Sequence, residues 1–158
     1  MLFVGMTSAL VVRQGLDAAW RSIPMPPALW ANTALLLASS LALELARKAG
    51  PARPRAFRRC VMGAFLLGLS FLAGQIVVWR QLAGTGIFLA TNAHSSFFYT
   101  LTALHGLHLS GGLVALGWLA RRVWTDAGAG WWFDVTAIYW HFMDGLWVYL
   151  LVLLFVLV

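Results

Sequence analysis

Four uninterrupted apolar runs dominate this chain, and each is long enough to cross a lipid bilayer as a helix. They cover residues 29–46, 60–79, 97–120 and 136–158, against the ~20 helical residues that hydrocarbon requires. Proline, glycine or charge bounds each run, as at Pro24, Pro26, Pro27, Gly50, Pro51 and Gly84. A fifth run, residues 1–14, is apolar up to Arg13 and too short for a full span. It reads either as a short tilted helix or as the tail of a longer first span, because a charged amine sits poorly in hydrocarbon. The expected fold is all-α: a polytopic membrane bundle of five segments forming one domain over residues 1–158.

Composition supports a membrane solvent. Hydrophobic residues make up 61% of the 158 and charged residues 10%, whereas a soluble domain is about half apolar and a quarter charged. Nine tryptophans suit interfacial belts, where an apolar ring keeps its N–H wet. The lone Cys60 leaves no internal disulfide and no multi-cysteine metal site. The formal net charge of +6 does not point to nucleic acid, because the basic residues are gathered and not interleaved with stacking aromatics. Arg47, Lys48, Arg53, Arg55, Arg58 and Arg59 crowd one hinge, and Arg121 and Arg122 fall in the last loop on the same side. The opposite side has only Arg13, Arg21 and Arg80. That bias makes the first side cytoplasmic and puts the C-terminus on the periplasmic side. Abundant Arg, Ala, Leu and Trp with a single Lys suits a GC-rich bacterial genome.

Small residues recur at helical spacing. Ala34, Ala38, Ala42 and Ala46 repeat every fourth position, as do Gly106 and Ser110. Such stripes let helix backbones approach within a bundle.

Polar groups inside spans are costly, so each demands an account. They are Glu44, Gln75, His105, His108, His141 and Asp144. Glu44, one turn before Arg47 and Lys48, reads as a surface ion pair at the membrane edge. His105 and His108 share one helix at a spacing of three, and His141 and Asp144 repeat it on the last. Three roles are open to them: haem ligation from two helices, proton relay, or mutual hydrogen bonding that fixes helix register. His94 falls in a loop before the fourth span, where solvation is expected. No GxSxG, P-loop, HExxH or CxxC motif occurs, so no catalytic residues and no metal site are expected.

Several blocks together resemble a known family. FYTLTALHGLHLSGG (residues 98–112), YWHFMDGLW (139–147), LWANTALLLASS (29–40) and QIVVWRQLAGTGIFLATN (75–92) are similar to signature stretches of subunit III of the haem–copper oxidases. Leu109 stands where the family usually has valine, and the family's glutamate would fall just before Met1, so either the start at Met1 is too late or this member lacks that acid. The resemblance implies the short bacterial five-helix form, a non-catalytic subunit packing on subunit I of cytochrome c oxidase, with subunit II also in the complex. It implies bound phospholipid, support of proton uptake and stability, and haem and copper in the partner subunits only. His105, His108, His141, Asp144 and Gln75 would then be structural polar contacts. Arg121, Arg122, Trp131 and Trp132 are expected headgroup-level lipid anchors from their depth and charge. The same fold could instead serve a quinol oxidase or a nitric oxide reductase, and a place in a larger respiratory supercomplex is open. From another class, a small membrane cytochrome b would use two of the histidines. A proton-coupled transporter predicts broken helices in inverted repeats, which this sequence lacks.

Overall fold

The computed structural model describes residues 2–16, 26–50, 52–91, 93–125 and 130–156. Arg21, Pro24 and Pro51, and the last two residues of the final run, lie outside the described residues. Five helices follow in order: α1 (Leu2–Leu16), α2 (Ala28–Ala49), α3 (Pro54–Gly84), α4 (Ala93–Trp124) and α5 (Gly130–Val156). Among the described residues there is no strand. The expected all-helical membrane bundle of five segments is what forms, and α2 to α5 are each long and apolar enough to span.

Local chemistry sets the boundaries. Pro54 opens α3, where a proline forfeits no intrahelical bond. Gly50 ends α2 with φ +55° while its N–H reaches Ala46 O at 3.1 Å. That left-handed turn favours a residue without Cβ. The helices outrun the apolar segments: α3 has 31 residues and α4 has 32, about 47 Å each at ~1.5 Å per residue. A hydrocarbon core of ~30 Å leaves their ends outside it, which is where Arg55, Arg58 and Arg59 ride.

Helices α2, α3, α4 and α5 close into a ring of neighbours, with the most extensive contact between α2 and α3, and α1 packs on α4. Leu36, Phe71, Phe98, Leu109, Trp140 and Trp147 are fully or almost fully buried at the centre. Leu41, Leu66, Leu107, Val114, Ile138 and Phe142 face outward, the inverse of a water-soluble surface.

Close helix approach occurs at glycines outside the expected stripes. A Cβ on Gly68 would come within 2.6 Å of the Trp140 ring, and one on Gly112 within 2.8 Å of Tyr139. Gly74 likewise takes the Asn32 side chain against its backbone. Gly106 meets nothing nearer than Leu72 at 4.0 Å, and Ser110 returns its hydroxyl to Gly106 O at 2.7 Å. The alanine stripe is not a single packing face within this chain. Ala46 is buried, Ala38 and Ala42 are half-buried, and Ala34 is exposed. The cause is helical pitch: each step of four over-rotates by about 40°, so Ala34 and Ala46 point about 120° apart.

Candidate functional site: polar groups inside the bundle

The in-span polar residues sort into two inner clusters and one outer position. In the first cluster His105 on α4 is fully buried. Its ring lies 5.0 Å from that of Trp147, tilted by 35°, and 6.0 Å from Phe71, edge to face. Neither ring nitrogen has a hydrogen-bond partner. Around it the indole and amide groups of neighbouring helices pair off. Trp147 Nε1 donates to Thr33 Oγ1 at 3.0 Å, and Thr33 donates to Leu29 O at 2.8 Å. Asn32 Nδ2 donates to Gln75 Oε1 at 3.2 Å, and Trp79 Nε1 donates to Thr102 Oγ1 at 3.1 Å. Each of these cross-helix bonds ties two spans in register at ~0.6 kcal/mol.

The second cluster lies between α2 and α5. Ser40 Oγ and His141 Nδ1 are 2.6 Å apart, and both residues are half-buried. Asp144, three residues on, is 5% exposed, and neither carboxyl oxygen has a hydrogen-bond partner. Next to Ser40, Ser39 is fully buried and donates to Ala64 O at 2.8 Å.

His108 stands apart from both. It is exposed, its Nδ1 lies 2.8 Å from Leu104 O, and its ring meets Phe3 of α1 edge-on at 5.4 Å. Tyr139 OH donates to its carbonyl at 2.9 Å. His105, His108, His141 and Asp144 therefore do not satisfy one another across the bundle. Residues three apart differ by about 60° around a helix, enough to send His105 inward and His108 out. Among the described residues no three His, Cys, Asp or Glu side chains come together as metal ligands.

His94 also departs from expectation. It belongs to the first turn of α4 and is 1% exposed, not solvated in a loop, because α4 begins before the apolar run does. Glu44 behaves as expected, pairing with Arg47 at 3.6 Å where both side chains are about 40% exposed. Such a pair contributes about 0–1 kcal/mol.

At the α4–α5 turn an aromatic and cationic girdle forms. Arg122 sits over the Trp118 ring at 4.8 Å, Trp118 meets Trp132 edge-on at 5.1 Å, and Trp131 stacks on Trp132 at 4.0 Å. Arg121, the residue before Arg122, is exposed. An open apolar groove of about 530 Å³ runs from here between α4 and α5, lined by Gly112, Ala115, Trp118, Trp132, Val135 and Tyr139. Of the expected anchors Arg122, Trp131 and Trp132 are thus brought together, and Trp118 joins them. Its place one turn before Arg122 was readable in the sequence; the groove was not, since it depends on how α5 leans on α4.

Comparison with known proteins fits this architecture. The sequence profile described as cytochrome c oxidase subunit III matches residues 2–157. A cytochrome c oxidase subunit 3 of Thermostichus vulcanus is 30% identical over 171 aligned positions, covering 99% of this chain and 81% of that protein. A probable cytochrome c oxidase subunit 3 of Mycobacterium tuberculosis is 37% identical over 102 residues, 62% of this chain and 50% of that protein. The chain thus spans half the length of the mycobacterial relatives it matches. A cytochrome bo(3) ubiquinol oxidase subunit 3 of Pseudomonas aeruginosa is 31% identical over 126 residues, 77% of this chain and 60% of that protein. With the profile matched from end to end of the described helices, this chain belongs to the cytochrome c oxidase subunit III family.

Proposed function

We propose that the chain is a non-catalytic subunit III of a bacterial terminal oxidase, packed on subunit I with subunit II in the same complex, in the cytoplasmic membrane. The family match over residues 2–157 is the observation that carries this reading. The haem and copper chemistry belongs to the partner subunits. This subunit supplies shape: apolar outer faces for neighbouring helices and lipid, and a core held in register by Trp147–Thr33, Asn32–Gln75 and Trp79–Thr102. The C-terminus faces the periplasm, as the basic α2–α3 turn and Arg121 and Arg122 on the other side support.

Phospholipid binding follows from the girdle. A phosphate fits beside Arg121 and Arg122 with Trp131 and Trp132 at headgroup depth, and an acyl chain fits the groove below Trp118. Support of proton uptake and durability of the catalytic subunit completes the reading. The test is gentle solubilisation, capture of this chain, and a record of subunits, visible spectrum and bound lipid. Recovery with a large haem- and copper-bearing subunit, and no haem on this chain after separation, is the expected result. Haem that stays with the isolated chain and vanishes on His105→Ala would make it a cytochrome b instead. Arg122→Ala is expected to lower co-purifying phospholipid without removing the partner subunits.

The 31% identity to a ubiquinol oxidase subunit 3 favours a second reading, in which the complex takes electrons from quinol. Oxygen consumption by the captured complex, with reduced cytochrome c or quinol as donor, separates the two.

A further inference from the structure

The cytoplasmic end of the α2–α3 hairpin concentrates charge beyond what orientation in the membrane requires. Residues 47–59 hold six cations, Arg47, Lys48, Arg53, Arg55, Arg58 and Arg59, out of eleven in the chain. Orientation needs a bias between the two sides and does not ask that like charges crowd one turn. That turn is tight: Gly50 N–H reaches Ala46 O at 3.1 Å, Arg53 N–H reaches Gly50 O at 3.3 Å, and Phe57 N–H reaches Arg53 O at 3.0 Å. It joins the two helices with the most extensive contact in the bundle, so the cations ending α2 and those opening α3 share one end of the hairpin. Little inside the chain neutralises them. Glu44 pairs with Arg47, and the first turn of α3 has no acidic residue. Among the described residues the other carboxylate at this end is the exposed Asp134, next to Phe133, whose ring meets Phe57 at 5.2 Å. Below the charges the same helical faces turn apolar. One face of α2 carries Leu41, Leu45 and Lys48, and one face of α3 carries Arg55, Arg59 and Leu66, all of them exposed. Leu66 lies about 10 Å deeper along its helix than Arg59.

We propose that this hairpin end is a binding site for an anionic phospholipid with two phosphates, a diphosphatidylglycerol, held by Lys48 on one arm and by Arg55 and Arg59 on the other. Cations on two arms above two apolar strips match a headgroup with two phosphates and acyl chains on either side. A lipid with one phosphate engages one arm and leaves the other uncompensated. Guanidinium groups suit the role because their paired N–H donors meet two phosphate oxygens at once. A free phosphate meets the same cations but gains nothing from Leu41, Leu45 and Leu66, so the lipid is the occupant that the whole surface fits. The site is separate from the girdle, whose Arg122, Trp118, Trp131 and Trp132 belong to α4 and α5. It deepens the phospholipid reading by adding a second lipid of a different class, and rests on that reading for the membrane side that the hairpin faces.

The test is native mass spectrometry of the captured complex, delipidated and then titrated with tetraoleoyl diphosphatidylglycerol, dioleoylphosphatidylglycerol or inorganic pyrophosphate. One diphosphatidylglycerol adduct of the wild type is expected to weaken by about thirtyfold in the double variant Arg55→Gln, Arg59→Gln, some fivefold for each cation removed. Four hinge cations stay in that variant to hold the orientation. Arg55→Lys with Arg59→Lys keeps the charge and is expected to keep most of the binding. Lys48→Gln, with an expected loss of about fivefold, serves if the double variant fails to assemble. Arg122→Ala is expected to leave this adduct unchanged. An adduct as tight in the glutamine variants as in the wild type overturns the proposal, as does one that Arg122→Ala removes. Equal binding of dioleoylphosphatidylglycerol overturns the two-phosphate assignment, and equal binding of pyrophosphate overturns the lipid. Absence of the adduct from the wild type, with the hairpin cross-linked to an acidic segment of another subunit, gives the surface to a protein and overturns the proposal too. A captured complex without a haem-bearing subunit would overturn the oxidase reading and leave this titration to decide the lipid site.

Discussion

Two pairs of ionisable residues share one spacing and meet opposite fates. On α4, His105 faces the core and His108, three residues later, faces out; on α5, His141 sits at the edge and Asp144, three residues later, faces in. The first inner group is held by ring faces, between Phe71 and Trp147. The second is 5% exposed with no hydrogen-bond partner on either oxygen, three residues from a half-buried imidazole that meets Ser40. Spacing of three puts two side chains on one stripe, but the rotation of the helix against its neighbours decides which of them enters the core. An aromatic-clamped imidazole acts as a packing element, whereas the buried carboxyl is held by no hydrogen bond.

His105→Ala would sharpen this contrast most. Removing a fully buried ring leaves a void between Phe71 and Trp147, with an expected loss of about 2–4 kcal/mol, read as the unfolding midpoint in detergent. His108→Ala is expected to stay within about 0.5 kcal/mol; equal losses at the two sites would break the comparison. Next comes Trp147→Phe, which keeps the ring against His105 but forfeits the bond to Thr33. It is expected to cost about 1 kcal/mol, and the same change in a Thr33→Val background should cost clearly less. Asp144→Leu is expected to shift stability by less than about 1 kcal/mol, because no hydrogen bond to the carboxyl is lost and an apolar group of similar size suits the site. A loss as large as that of His105→Ala would mean that Asp144 is clamped after all. Smallest is Glu44→Gln, expected to cost a few tenths of a kcal/mol and less at high salt.

How much of this was legible follows from which forces act along one helix and which act between helices. The four long runs were readable because hydrocarbon demands long apolar stretches whatever the neighbours do. The Glu44–Arg47 pair was readable because it is local. The helix ends were not, since α4 continues through His94 and Ser95 beyond the apolar run and buries both. Gln75 stood out as an in-span amide, but its partner Asn32 is 43 residues away and emerges only when α2 and α3 are docked. Ser40 stands unremarked within residues 29–40, and its meeting with His141, 101 residues on, depends on the rotation of α5. The glycine approaches at Gly68 and Gly112 were hidden for the same reason, since what a glycine admits is set by the helix opposite.

Trp140 has a consequence for how the protein is made. Its indole fills the space left by Gly68 on α3 and lies beside Gly112 on α4, so three helices meet at one side chain. That side chain belongs to α5, which the ribosome delivers after the other four. Until it arrives, no indole fills the space between Gly68 and Gly112. Insertion of α5 is then the step that closes this three-helix contact, and a chain cut short before it leaves the space at Gly68 unfilled.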